Sequence, residues 1–192
     1  MPFVYSADAL GNLTRAISKE RLSSYLAKTA SDTFRAVQLY EWSTLLSQSL
    51  YGVIQPLEIA FRNSIHRILA TGTGRSNWYE YSPLRYREIE TVREAKANIV
   101  RWSRAITPGR VVAELTFGFW IRLISRDYEK SLWVPHLYKA FPHLRKPDRE
   151  AVFKRFDSIK TLRNRIAHHE IIVSRNLQAV QSTNLFTRES QK

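Results

Sequence analysis

The nine residues Leu162-Arg163-Asn164-Arg165-Ile166-Ala167-His168-His169-Glu170 put guanidinium groups, a carboxamide and two imidazoles within about two helical turns. Arginine is a permanent cation whose planar fork matches phosphate oxygens. Histidine gives or takes a proton near neutral pH. Together such groups can hold a phosphodiester and move protons around it without a metal. The formal net charge of +13 fits a polyanionic partner.

These residues need a helix to position them. At 100° per residue, Val152, Phe156, Ile159 and Ile166 form one apolar stripe, and Arg163 falls inside it. A guanidinium on an apolar seam is unfavourable unless it is paired or meets an anion. Asn164 and His168 are four apart and share another face, with Asp157, Lys160 and Thr161. Arg163 and His168 diverge by about 140° on an ideal helix. They converge if the arginine reaches round, if the helix distorts at its end, or if a second copy of the chain completes the site. The plainer alternative pairs Arg163 with Glu58 or Glu114 and reads both histidines as helix C-terminal residues, which the macrodipole favours.

A second cluster, Glu58-Ile59-Ala60-Phe61-Arg62-Asn63-Ser64-Ile65-His66, repeats the theme. Glu58, Arg62 and His66 are spaced by four and line one helix face. They form either a surface ion pair with a neighbouring histidine or a support for the first cluster.

Composition narrows the remaining chemistry. The chain has no cysteine, which removes disulfides, thiolate nucleophiles and thiolate metal sites. Its five histidines include no His-x-x-x-His pair, so no metal is expected. Neither a glycine-rich phosphate loop nor a Gly-x-Ser-x-Gly turn is present. No apolar run reaches the roughly 18–20 residues that span a bilayer. The first residues lack a basic stretch followed by an apolar block, so no signal peptide and a cytoplasmic location are expected.

Helical periodicity dominates the 192 residues. One helix is predicted near 20–51 and a second over 54–70, with Pro56 in its first turn and Gly72-Thr73-Gly74 ending it. Ser82-Pro83 opens a third, with Leu84, Val92, Ala95, Ile99, Trp102 and Ile106 on one face, and Thr107-Pro108-Gly109 breaks it. A short helix is expected around Leu132–Phe141. The last long helix should run from near Pro147 to about His168. Trp78, Tyr79 and Tyr81 fall in a loop, where they either pack on the bundle or stack on unpaired bases. The expectation is all-α: a single domain over 1–192, about four main helices plus short accessory ones, a core of about 20–172 and a polar tail over about 174–192.

Several segments resemble the Abi-like (abortive-infection) family of the HEPN superfamily. They are Leu39-Tyr40-x-Trp42 with Leu45-Leu46-Ser47, Glu58-Ile59-x-x-Arg62-Asn63-x-Ile65-His66, Glu114-Leu115-Thr116-Phe117-Gly118-Phe119-Trp120, Leu132-Trp133 with Ala140-Phe141-Pro142, and Leu162 to Glu170. They run in the family's order over roughly residues 20–172, and Arg163-Asn164-x-x-x-His168 resembles its Arg-x4–6-His motif. Ile171 stands where the family often has proline.

The resemblance implies a HEPN helical bundle and metal-independent RNA cleavage with no cofactor, in phage defence or as a toxin. It also implies a homodimer that brings two motifs into a composite site, with an antitoxin or other regulatory protein as a further partner. Arg163 would hold the scissile phosphate, His168 would act as general acid or base, Asn164 would orient the site, and His169 would be auxiliary. Lys160, Arg165 and Arg62 would contact RNA, with Glu58, Asn63 and His66 in support. Some HEPN proteins bind RNA without cleaving it, which leaves a non-catalytic RNA-binding or regulatory module, or a toxin–antitoxin interaction protein, as the alternatives.

Overall fold

The computed structural model describes residues 5–144 and 147–172. Every regular element among them is helical, as expected. The α-helices are α1 (Ala7–Ile17), α2 (Lys19–Leu26), α3 (Thr33–Thr73), α4 (Tyr86–Arg101), α5 (Pro108–Glu114), α6 (Phe117–Arg122) and α7 (Arg149–Ala167). The polar tail expected from about 174 lies outside the described residues. The described chain forms two compact units, one of residues 5–54 with 161–172 and one of residues 55–160. No described helix is long and apolar enough to cross a membrane.

In the first unit, Ser6 caps α1 by accepting the Ala9 N–H at 3.2 Å. The apolar side of α1 (Leu10, Leu13, Ile17) packs on a core of Leu22, Tyr25, Ala36 and Val37, with Ile171 at its margin. A single residue, Ser18, joins α1 to α2. Its backbone sits at φ +73, ψ 151, and its hydroxyl accepts the Arg21 N–H at 3.4 Å. Tyr25 meets Tyr40 edge-on, with centroids 5.4 Å apart. Tyr5 donates to Glu41, whose carboxyl is pushed up by burial.

Helix α3 corrects the sequence reading. Two helices were expected, the second over 54–70 with Pro56 in its first turn, yet one helix of 41 residues runs through it. Pro56 cannot donate to the Gly52 carbonyl, and an interior proline costs about 3 kcal/mol. Ile54, Phe61, Ile65 and Leu69 are all buried. Each contributes roughly 1.5–3 kcal/mol, so together they outweigh the proline. The expected stop holds. Gly74 (φ +69) closes the helix, with Gly74 N–H to Thr71 carbonyl at 3.4 Å and Arg75 N–H to Ala70 carbonyl at 3.0 Å.

The second unit is built around aromatic rings. Phe61 stacks on Phe156 at 4.0 Å and meets Phe117 edge-on at 6.0 Å. Trp78 packs edge-on against Trp120 and is fully buried, and Tyr79 is nearly so. These two are core residues and cannot stack on a base. Tyr81 is exposed, with the Arg75 guanidinium 4.1 Å over its ring.

Helix α4 starts at Tyr86, later than Ser82-Pro83 suggests, because Leu84 is drawn into the core and the Arg85 N–H bonds the Tyr128 hydroxyl at 2.9 Å. Val92, Ala95 and Ile99 are buried as expected, but Trp102 and Ile106 are exposed. The helix ends at Arg101, and Ser103 takes a left-handed conformation (φ +53), so the period does not reach them. Glu88 is buried and accepts from Arg122 and the Tyr128 hydroxyl. Burial alone would raise its carboxyl, but those two hydrogen bonds and the Arg122 charge hold it below the usual range. Tyr128 is pushed up to about 12 by burial and its bond to Glu88.

Thr107-Pro108 opens α5, with the Thr107 hydroxyl accepting the Arg110 N–H, where only a break was expected. The segment around Leu132–Phe141 forms two short turns, Glu129–Trp133 and Leu137–Ala140, on either side of Pro135. Helix α7 occupies nearly the expected span, with Val152, Ile159, Leu162 and Ile166 buried.

Candidate functional site

The end of α7 sets the geometry of the two histidines. His168 keeps a helical bond from its N–H to the Asn164 carbonyl at 2.9 Å. His169 then turns left-handed (φ +55), its N–H reaching the Ile166 carbonyl at 3.0 Å and the Glu170 N–H reaching the Arg165 carbonyl at 2.9 Å. This pair of bonds is a Schellman closure, whose left-handed position is usually glycine.

Arg165, His168 and His169, with Glu170 and Ile171, form one wall of a depression of about 470 Å³. The facing wall is the first two turns of α2 and its cap: Ser18, Glu20, Arg21, Ser24 and Tyr25. Both walls belong to the first unit. The C-terminus of α7 carries partial negative charge and would not attract an anion alone. Arg21 and Arg165 supply cations, and the start of α2 supplies the positive end of a second helix. Arg165 is held in place, its Nε 3.3 Å from Glu170 Oε2 and its terminal nitrogen donating to the Ile171 carbonyl. The Glu20 carboxyl lies below the usual range, mainly through its own backbone N–H and then the Ser18 hydroxyl.

A second depression, of about 530 Å³, adjoins the first and shares Tyr25, His169 and Glu170 with it. Its other lining comes from α3 (Tyr40, Ser43, Thr44, Ser47, Gln48, Tyr51, Gly52) and from Ile166. His169 thus lines both a basin that holds two arginines and two glutamates and a tyrosine-lined one.

Ser18 and His169 are two of the five non-glycine residues with positive φ among the described residues, and both line the first depression. Unfavourable backbone that persists beside a cleft is a mark of a functional site.

The candidates named from sequence divide between the units. Arg165, His168 and His169 come together. Asn164 is exposed and Arg163 is half-buried with an interaction partner, and neither lines the depression. Lys160 belongs to the second unit and pairs with Asp157. Glu58, Arg62, Asn63 and His66 belong there too. Arg62 Nε donates to Asn63 Oδ1 at 3.2 Å. His66 Nδ1 accepts the Trp78 indole N–H at 3.0 Å, and burial, then the Arg62 charge, pulls its pKa down. His66 holds a core tryptophan.

Sequence reasoning missed the α2 wall. Ser18, Arg21 and Ser24 sit in a segment read only as a helix start, and no local pattern links them to residues almost 150 positions on. Among the described residues no group of three or more histidines and carboxylates is arranged to hold a metal ion. Comparison of the chain with protein-family models, curated proteins and solved structures finds no match.

Proposed function

We propose that the protein is a metal-independent RNA endonuclease of the HEPN type, acting in phage defence or as a toxin. The observation that carries this reading is the depression in which two imidazoles and Arg165 face Arg21. The ordered Abi-like segments and the +13 charge support it.

In this mechanism the 2′-oxygen of the RNA attacks the neighbouring phosphorus and the bond to the 5′-oxygen breaks. One imidazole of the His168–His169 pair takes the 2′-hydroxyl proton, and the other, as imidazolium, protonates the departing 5′-oxygen. The products are a 2′,3′-cyclic phosphate and a 5′-hydroxyl. General acid–base catalysis of this kind contributes about 10²–10⁴-fold. Arg165 stabilises charge building on the phosphoryl oxygens, exchanging its bond with Glu170 for the substrate. Arg163, on the motif resemblance, holds the phosphate, and a second copy of the chain brings its own pair to a composite site. Asn164 orients the site, and Lys160 and Arg62, on the motif resemblance, contact RNA.

The test is incubation of labelled RNA with wild type, Arg163→Ala, Arg165→Ala and His168→Ala in EDTA, with product ends mapped. Wild type leaves cyclic phosphate ends, and His168→Ala leaves none while keeping its helical content. Cleavage retained in His168→Ala refutes its role. RNA bound but uncut by wild type makes the protein a binding module.

A further inference from the structure

We infer that the tyrosine-lined depression beside His169 is a nucleobase subsite, and that it favours bases carrying an exocyclic amine over uracil. The inference rests on the RNA-cleaving reading and adds to it the base that flanks the scissile phosphate.

The two depressions meet at His169 and Glu170, so a chain whose phosphate lies against Arg165 places an adjacent base over α3. The linings differ as phosphate and base differ. The first carries two guanidinium groups and two imidazoles, with the carboxylates of Glu20 and Glu170 beside them. The second carries Tyr40 and Tyr51 with hydroxyls and one amide, and it holds no arginine or lysine. Tyr51 is 41 % exposed, so much of its side chain is open to a ligand. Stacking on an aromatic ring suits any base and requires one that is unpaired.

The polar groups supply a preference. Thr44 Oγ1 donates to the Tyr40 carbonyl at 3.0 Å, and Ser47 Oγ donates to the Ser43 carbonyl at 2.8 Å. With their hydrogens committed to α3, both hydroxyls offer a ligand only lone pairs. Gln48 lies on the same wall, and its amide adds an acceptor as well as donors. The Glu170 carboxylate on the same lining only accepts, while the phenols of Tyr25, Tyr40 and Tyr51 both donate and accept. These acceptors suit the amino groups of adenine, cytosine and guanine, whereas uracil offers mostly carbonyl oxygens.

The experiment uses the full chain and 2′-O-methylated oligouridine of about eight nucleotides, a length within the range of single-strand binding sites. These probes lack the attacking hydroxyl and stay intact. One carries a central adenosine, one a central cytidine, and one neither. Affinity is read by fluorescence anisotropy for wild type, Gln48→Ala and Tyr51→Ala. The amine-bearing probes bind wild type about fivefold more tightly than the uridine probe, the size of one net hydrogen bond. Gln48→Ala moves that ratio toward one. Tyr51→Ala weakens all three probes about fivefold or more, as loss of a stack does.

Equal affinity of wild type for the three probes overturns the inference, as does a ratio untouched by Gln48→Ala or affinities untouched by Tyr51→Ala. Absence of binding overturns it too. The parent reading fails separately: unmodified RNA that is never cut, with the probe preference intact, removes the nuclease and keeps the subsite.

Discussion

Replacing His169 with glycine separates what the imidazole does from what its backbone endures. A non-glycine residue in the left-handed region costs about 1–2 kcal/mol. His169 stands there at φ +55, and its side chain is exposed, so removal sacrifices little packing. Glycine returns about 0.4–1 kcal/mol of that gain through the greater freedom of the unfolded chain. The folded state should therefore gain on the order of 0.5–1 kcal/mol. At about 2.1 cal/mol/K per residue, a chain of this length unfolds with roughly 0.4 kcal/mol/K of entropy. The expected rise in Tm is thus about 2 °C, measured by thermal circular dichroism. RNA cleavage, followed with a labelled substrate, should fall about 10²–10⁴-fold if His169 supplies a proton-transfer group. His169→Ala is the control: it loses the imidazole but keeps the strained backbone, so cleavage falls equally and Tm does not rise. A lower Tm in His169→Gly would refute the reasoning, because the imidazole would then be holding the fold.

Three further outcomes follow from the second unit. His66 is neutral in the fold with a pKa below its ordinary 6.5, so the stability it confers is complete above about pH 6.5 and fades as pH falls through the lowered value. Tm should drop on that acid limb, and an identical drop in His66→Gln would exonerate the histidine. Glu88→Gln leaves Arg122 and Tyr128 without their carboxylate and should cost about 2–3 kcal/mol in denaturant unfolding. That figure sits at or below the low end for a broken buried pair because a third of the Arg122 side chain is solvated, and a loss under about 0.5 kcal/mol would make the network incidental. Phe61→Ala, which removes the ring between Phe117 and Phe156, should cost about 3–5 kcal/mol, and a Tm unchanged within error would deny those rings their place in the core.

What was legible in the sequence was mostly periodic. The span of α7, the burial of Val92, Ala95 and Ile99, and the Gly74 stop follow from spacing that a single helix determines by itself. Pro56 misled because its local penalty is visible in sequence, while the burial of four neighbours on α3 is a tertiary sum. Glu88 escaped notice for a related reason: a carboxylate on an apolar face becomes intelligible only beside Arg122 and Tyr128, which lie 34 and 40 residues away. At the site, both histidines were legible as chemistry, but their geometry was not. The left-handed turn at His169 depends on how the chain leaves α7, and histidine in place of glycine hides the signal that normally announces it. Arg21 joined the site only through folding.

The one-residue joint at Ser18 has a consequence for how this protein can change over time. With no spare residue between α1 and α2, the azimuth at which α2 presents Arg21 and Ser24 is locked to the end of α1. Point substitutions on either helix leave that phase alone. An inserted or deleted residue must either break the Ser18 cap or rotate α2 by about 100°, which swings Arg21 off the depression. Length variation among natural variants should therefore avoid the joint, and deep insertion scanning would find it intolerant while neighbouring exposed positions accept most replacements.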